Sequence, residues 1–324
     1  MRRVSAAGFK PAVARKIILP EWWTDECNSD ASLLPEIELR VARFVGVPLT
    51  VVQDPSAKLA APTYPGAQLR RVRDIHRDRL GPAIHVGLRV AHATVRNWSD
   101  APTPALPSTA PEAWRQAIAT EKPTIRLTDV LTDLWNRGIP VVHIAVMPSP
   151  SFQGMMCIIG DRPVVVLAHN FDEPARLAFV IVHEVAHAVY GDCDAHHPVV
   201  DEEDVNPDDH ESELRADVYS SRVLTGGSIP PISGRDPKNL ARQAMSIEKA
   251  TNIDATFVIR RWGKVNNQHA LATRAVQALY RHKGGKRAIR QAFNQHINVE
   301  GASDTDRTLL GCLHGDPLLN ENPR

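Results

Sequence analysis

The segment His183-Glu184-Val185-Ala186-His187 constrains this chain more than any other part of its sequence. It follows an apolar run, residues 177–182, and together they predict one buried helix. Residues four apart lie on one face of a helix, so His183 and His187 can bind one metal ion together. Glu184 stays near that face, where it can accept a proton from a metal-bound water. This pattern is typical of zinc hydrolases.

The flanking residues strengthen the prediction of a helix. Asp172-Glu173-Pro174 is a favourable start, because Asp can cap a helix and Pro suits its first turn. Gly191 follows the last apolar residues and suits the C-terminal end. The alternative is a buried helix with two core histidines that serve only packing. That alternative leaves Glu184 unexplained, because burying an unpaired carboxylate is costly.

Catalytic zinc usually takes three protein ligands, so a third one is needed. The metzincin pattern fails, because Tyr190 and Cys193 occupy the places of its Gly and its third His. The other source is a second predicted helix, residues 211–224. There Glu213 can bind the metal, while Asp217, four residues on, can accept the second N–H of a ligand histidine. An ordinary solvated helix face is the alternative for these two carboxylates.

This second helix also has a predicted packing face. Ala216 and Ser220 are small and permit a close approach to the first helix. The apolar face is expected to be shared by Leu214, Val218, Ser221 and Leu224.

Other candidate ligands and donors are weaker. His196, His197 and His210 lie between the two helices in the acidic segment 192–209, for which a solvated loop is favoured. Tyr190 or Tyr219 could stabilise an oxyanion, but packing is the favoured role for both.

The residues from about Leu127 to Leu224 resemble the ImmA/IrrE-type metallopeptidases of bacteria and phages. The likeness rests on a strand at 163–167, the HExxH helix, and a following Glu213-x-x-Ala216. It departs from the family at Tyr219-Ser220, where Phe-Ala is usual, and at 224–226. The resemblance, which is gluzincin-like, implies that His183, His187 and Glu213 bind zinc and that Glu184 is the general base. It also implies a protein substrate, commonly a transcriptional repressor or antitoxin.

Composition limits the setting in which the chain works. Of its 324 residues, 43% are apolar, which is enough for a substantial core. The four cysteines are scattered without a C-x-x-C pair, which fits a reducing cytosol and predicts a cytoplasmic protein. No apolar run is long enough for a signal peptide or a membrane span.

Charge is distributed unevenly along the chain. Residues 1–97 carry 15 Lys/Arg against 9 Asp/Glu, residues 98–210 carry 6 against 17, and residues 211–324 carry 17 against 11. The basic segments can meet nucleic acid or an acidic partner, or they can dock on the acidic middle of the same chain. Of these possibilities, the sequence does not favour contact with nucleic acid.

Segment composition predicts five regions. Residues 1–97 read as a basic, helical N-terminal domain, in which residues 68–95 suggest two helices broken at Gly81-Pro82, a helix-turn-helix-like pattern. Residues 98–118 are Pro-rich and read as a linker. Residues 119–228 form the peptidase core, with strands near 141–146, 155–159 and 164–167. Residues 229–300 form C-terminal helices on that core, and 301–324 a poorly ordered tail.

These observations predict an α+β fold. It is mainly helical, with a small sheet packed on the HExxH helix as in zincins and a separate N-terminal helical domain. The predicted function is a zinc-dependent endopeptidase that cleaves a regulatory partner protein with metal-activated water. The alternative is a non-catalytic zincin-fold sensor that binds a partner or nucleic acid.

Overall fold

The computed structural model describes residues 2–9, 11–20, 22–60, 68–70, 79–119, 124–145, 147–194, 198–201 and 210–313. These residues are mainly helical and include a small mixed sheet, so the chain has the predicted α+β class. Two short 3-10 turns, Asp25–Ser29 and Ala31–Leu33, precede the third helix. The helices are α1 Arg2–Ala6, α2 Pro11–Ile18, α3 Leu34–Val45, α4 Leu49–Gln53, α5 Gly81–Arg96, α6 Pro111–Ala119, α7 Leu127–Asn136, α8 Pro174–Val189, α9 His210–Thr225, α10 Pro237–Thr251, α11 Ala255–Val265, α12 His269–Ala278, α13 Gly285–His296 and α14 Asp304–Leu313.

The sheet has the strand order β1-β5-β3-β4-β2. Its strands are β1 Gln68–Arg70, β2 Val141–His143, β3 Gly154–Ile159, β4 Arg162–Leu167 and β5 Val199–Asp201. The strands β3 and β4 form an antiparallel hairpin, and β2 pairs with β4 in parallel. On the other side, β5 pairs antiparallel with β3 and parallel with β1.

The β3–β4 hairpin is the centre of the core. Its turn is the pair Gly160-Asp161, and Gly160 has a φ of 68°, a left-handed conformation that glycine adopts at little cost. All six residues of β4 are buried. Successive strand residues point to opposite faces, so both faces of the hairpin are covered.

Helices α5 and α8 cover these two faces. A Cβ on Gly87 of α5 would meet the side chains of Met155 and Phe152, whereas a Cβ on Gly154 would meet Glu184 of α8. Gly154 and Met155 are consecutive in β3, so the two helices lie on opposite sides of the sheet. The last helix of the predicted N-terminal domain therefore shares the core of the sheet.

Helix α8 begins and ends close to the predicted positions. Pro174 occupies its first turn, and Gly191, with a φ of 75°, follows its C-terminal end. The helix is apolar around most of its circumference because it packs against β3 and β4, α7, α9 and α13. Its side chains from Ile181 to Ala188 are all buried.

The proline-rich segment lies against the core. The Pro102 carbonyl accepts a hydrogen bond from Arg162, and the Ser108 carbonyl accepts one from Tyr219. Helix α6 follows and packs on α9. This segment is therefore attached to the core at these two carbonyls, while most of residues 99–110 are exposed.

Two regions differ from the sequence predictions. Residues 68–70 form strand β1 rather than the start of a helix, because they pair with β5, which follows far along the chain. The rest of the first helix predicted for the helix-turn-helix-like pattern, residues 71–78, lies outside the described residues, and the second predicted helix corresponds to α5, Gly81–Arg96. Residues 304–313 form α14 where a poorly ordered tail was predicted, because Leu309 and Leu310 are buried on a helix that packs against α2 and α5. In the part of the chain that the structure describes, no helix has the length and apolar character needed to cross a membrane.

His85 is a buried ionisable group in the core of the N-terminal region. It lies among the rings of Phe9 and Phe44, and its Nε2 donates a hydrogen bond to the Phe44 carbonyl. Burial, aided by the charge of Arg89, lowers the pKa of His85 to about 4 and so outweighs this hydrogen bond. The folded protein therefore keeps this imidazole neutral at neutral pH.

We predict that acidification destabilises the protein through His85. The unfolded imidazole has a pKa near 6.5, so its full contribution is present above that pH and is lost as the pH falls towards 4. Between pH 7.5 and pH 5 the loss amounts to about 2 kcal/mol. Urea unfolding of wild type and His85→Gln at both pH values measures it. An equal loss in the variant would assign the pH dependence to other groups.

Candidate metal centre

Helices α8 and α9 bring the predicted metal ligands together. Ala216 and Ser220 are both fully buried and share a face of α9 with Glu213 and Asp217, which contact the histidines of α8. The small side chains at these positions keep the two helices near enough for direct contacts between their polar groups. This part of the packing prediction agrees with the structure.

The nitrogen and oxygen atoms of three buried side chains converge at this contact. His183 Nε2 lies 3.2 Å from His187 Nε2 and 3.2 Å from Glu213 Oε2. His187 Nε2 lies 3.3 Å from Glu213 Oε1. One ligand atom from each residue lies within 4.8 Å of the other two, and all three residues are buried. The structure thus places together the three residues that the sequence predicted as ligands.

Two carboxylates orient the histidines. Asp217 Oδ1 lies 3.0 Å from Nδ1 of His183, and Asp192 Oδ2 lies 2.9 Å from Nδ1 of His187. A carboxylate accepts, so in both rings Nδ1 carries the hydrogen that it donates. When the two rings are neutral, their Nε2 lone pairs therefore point towards each other and towards Glu213. Asp217 therefore lies where the sequence predicted a supporting carboxylate.

Asp192 is the residue that sequence reasoning missed. It was included in a solvated acidic loop, but its side chain is only 12% exposed and binds both His187 and Arg215. The guanidinium of Arg215 lies over the Tyr190 ring, 4.4 Å from its centroid. The available signal was its position five residues after His187, one turn beyond the helix, but that spacing is not diagnostic without the fold.

The donor set of this cluster suits a divalent cation. Two imidazole nitrogens and a carboxylate are typical ligands of catalytic zinc. With both Nδ1 atoms committed to Asp192 and Asp217, the cluster presents only lone pairs to its centre, and these repel one another unless a positive charge lies between them. The buried His183, His187 and Glu213 group therefore can bind a metal ion.

Electrostatics inside the cluster keep Glu213 ionised. Burial alone raises the pKa of Glu213, but when His183 and His187 are protonated and carry a hydrogen on Nε2, their hydrogen bonds and charge outweigh burial and hold the pKa well below its usual range. Burial also opposes ionisation of Asp192, and the contacts with His187 and Arg215 again lower its pKa. Both carboxylates are therefore negative at neutral pH, as binding and orienting a cation require.

Glu184 lies beside the cluster and is completely buried. Strand β3 begins at Gly154, directly over the Glu184 side chain, and a Cβ at this position would overlap the carboxylate. Cys193 also lies near Glu184, and burial together with the charges of Glu184, Asp192 and Asp194 raises the pKa of its thiol to about 12. The Glu184 carboxylate is therefore buried in a tightly packed environment, on the residue that follows the ligand His183.

The remaining candidates lie elsewhere or outside the described residues. His196 and His197 fall outside them, and His210 is the first residue of α9. Tyr219 is 1% exposed and donates a hydrogen bond to the Ser108 carbonyl, so it packs against the proline-rich segment. Tyr190 lies under Arg215. The packing role that the sequence favoured for both tyrosines agrees with these contacts.

The predicted apolar face of α9 is wrong in two positions. Leu214 is 55% exposed and Val218 is 43% exposed, whereas Ala216, Tyr219, Val223 and Leu224 are buried. The reason is that Glu213 and Asp217 turn towards α8, which places the residues that follow each of them on the outer side of the helix. The contacts of Glu213 and Asp217 with the histidines of α8, rather than the apolar pattern, therefore set the rotation of α9 about its axis.

Comparisons with known proteins add no further evidence. No protein-family model matches the chain, and no curated protein matches its sequence.

We predict that the two supporting carboxylates each strengthen metal binding. Asp192→Asn and Asp217→Asn replace an ionised acceptor with a neutral amide, so each should weaken zinc affinity about 10- to 100-fold. Competition with a chromogenic chelator measures the affinity. Glu211→Gln, an exposed carboxylate on α9, is the matched control and should bind zinc as wild type does. Unchanged affinity in both Asn variants would contradict the assigned orientation of the histidines.

A second prediction concerns the fit between Gly154 and Glu184. Gly154→Ala should lower the free energy of unfolding by about 1–3 kcal/mol, because the added methyl group overlaps the carboxylate. In a Glu184→Ala background the same change should cost much less, since the overlapping atoms are gone. Urea denaturation of the four proteins gives this double-mutant cycle. If Gly154→Ala lowers the free energy of unfolding equally in both backgrounds, the added methyl group does not overlap the Glu184 carboxylate.

Proposed function

We propose that this protein is a zinc-dependent endopeptidase. The observation that carries the proposal is the convergence of His183, His187 and Glu213 beside the buried carboxylate of Glu184. Zinc is the metal proposed, because two imidazoles and one carboxylate, with room for a further ligand, are its usual catalytic donor set. A purely structural site has no use for a second buried carboxylate, Glu184, in addition to that of Glu213.

Each residue has a distinct proposed role. His183, His187 and Glu213 would hold the metal, and Asp192 and Asp217 would keep the two imidazoles in the metal-binding tautomer. When bound, zinc would supply a Lewis acid that polarises the scissile carbonyl and makes water a stronger nucleophile. Glu184 would accept the proton of the attacking water and donate it to the leaving amine.

The surroundings of Glu184 support this role. The start of β3 at Gly154 lies against its carboxylate, and the thiol of nearby Cys193 stays protonated at neutral pH because its pKa is raised. Exclusion of bulk water strengthens electrostatic interactions and limits the exchange of the transferred proton with solvent. The side chain is fixed by its position on α8, one residue after His183, so it cannot move far from the reacting atoms.

The proposed substrate is a partner protein in the cytoplasm. The likeness of residues 127–224 to the ImmA/IrrE-type peptidases supports a transcriptional repressor or an antitoxin as the target. Cys27, Cys157 and Cys193 are free thiols, in keeping with a reducing compartment.

The decisive variant is Glu184→Gln, which keeps the shape of the side chain and removes its basicity. We predict that it retains zinc in a 1:1 ratio and loses cleavage by about 10²- to 10⁴-fold. Zinc is measured by elemental mass spectrometry, and cleavage by mass spectrometry of small repressor-like proteins encoded by neighbouring genes and co-expressed with each form. Glu211→Gln, on the exposed side of α9, serves as the control and should cleave normally.

The outcomes separate the proposals. Cleavage by wild type but not by Glu184→Gln supports the peptidase. Zinc binding without cleavage of any neighbouring protein favours the non-catalytic sensor. Failure of the purified wild type to bind zinc, even when zinc is supplied, would remove the basis of both.

A further inference from the structure

The three helices α10, α11 and α12 pack against one another and form a unit that carries a concentration of positive charge. Residues 235–278 contain 8 Lys and Arg against 3 Asp and Glu, whereas the whole chain has a net charge of only +1. The excess is thus local. Seven side chains on and beside this unit define the cationic surface: Arg235, Lys238, Arg242, Lys249, Arg261, Lys264 and Arg274.

The acidic residues of the same unit are already engaged. Asp236 accepts a hydrogen bond from the Asn239 N–H at the start of α10, at 2.8 Å. Asp254 accepts one from the Thr256 N–H at the start of α11, also at 2.8 Å. These caps stabilise the helices and leave the carboxylates turned towards the backbone.

Glu248, the third acid, is also engaged. It binds Arg126 at 2.8 Å and Arg281 at 2.5 Å, and its second oxygen accepts the Ala255 N–H. Its side chain is only 12% exposed, so it faces the interior of the protein. The three acids, of which only Asp236 is exposed, thus leave the unit with a net positive charge.

The seven cations are exposed, and among the described residues none of them forms an ion pair with an Asp or Glu. Arg260 shows the contrast: it is partly buried and forms an ion pair with Glu173 at the start of α8. Docking of the basic C-terminal segment on the acidic middle of the chain thus accounts for Arg260 but not for these seven side chains.

Helix geometry aligns part of the surface. Lys238, Arg242, Met245 and Lys249 follow the spacing i, i+4, i+7 and i+11, which places them on one stripe of α10. At 1.5 Å per residue, the stripe is about 16 Å long. A row of cations of this length can contact several successive phosphates of a nucleic acid strand.

We propose that the cationic surface binds the phosphate backbone of a nucleic acid. Protein–protein interfaces are depleted in Lys and rely on apolar anchors, yet the exposed large apolar side chains here are limited to Met245 and Val265 among the described residues of the unit. Exposed Lys and Arg that outnumber the local acids and form no ion pairs are instead the electrostatic footprint of phosphate binding. The expected binding is independent of base sequence and weakens steeply with salt.

Fluorescence anisotropy of the full chain with a labelled 20-base-pair DNA duplex and a 20-nucleotide RNA tests the proposal. At 50 mM salt, Lys238→Gln/Arg242→Gln/Lys249→Gln should weaken binding at least tenfold. The slope of log affinity against log salt should fall by about 2–3, because up to three phosphate contacts are lost. The matched control, Arg2→Gln/Arg43→Gln/Lys58→Gln, removes three exposed cations from the N-terminal region and should bind within twofold of wild type.

Thermal unfolding of each variant establishes that it is folded. If the α10 variant does not fold, Arg261→Gln/Lys264→Gln/Arg274→Gln on α11 and α12 takes its place, with the same expected loss. Absence of DNA and RNA binding by wild type at 50 mM salt overturns the proposal, as does an equal loss in the N-terminal control. Binding of a poly-glutamate peptide without binding of either nucleic acid would assign the surface to an acidic protein instead.

Discussion

The contact between α8 and α9 is the interaction on which the candidate metal centre depends. It brings two imidazole nitrogens and a carboxylate to within about 3 Å of one another inside the protein. Such groups repel when they share a buried site without a cation, so the arrangement is stable only if the surrounding structure holds it or a metal binds. Asp192 and Asp217 supply part of that support by fixing the orientation of both rings.

The rest of the fold holds this contact in place. Helix α8 lies on the β3–β4 hairpin, and α5 covers the opposite face of the same strands. At its N-terminal end, Glu173 binds Arg260 of α11, and Asp172 accepts hydrogen bonds from the backbone of Gly284 and Lys286 at the start of α13. Elements that lie far from the metal ligands in sequence thereby fix the position of α8. The proline-rich segment has a similar effect on α9 through Tyr219.

The molecule separates its charges between two regions. Carboxylates surround the candidate metal centre. Asp192 and Asp217 orient the histidines, and Glu184 is the proposed general base. Positive side chains gather on α10–α12, where the local acids cap helices or form buried ion pairs. A net charge near zero therefore conceals buried negative groups at one place in the fold and an exposed positive surface at another.

The sequence by itself determined the α+β class, helix α8 and the pairing of His183 with His187, because a helical repeat of 3.6 residues and an apolar run are local properties of the chain. It also pointed to Glu213 and Asp217 through their spacing of four residues. Only the tertiary structure decided that Asp192 supports His187, that Gly154 leaves space for Glu184, that residues 68–70 form a strand, and that Leu214 and Val218 face solvent. Each of these depends on contacts between segments that are distant in the chain, and local sequence patterns do not specify which distant segments come into contact.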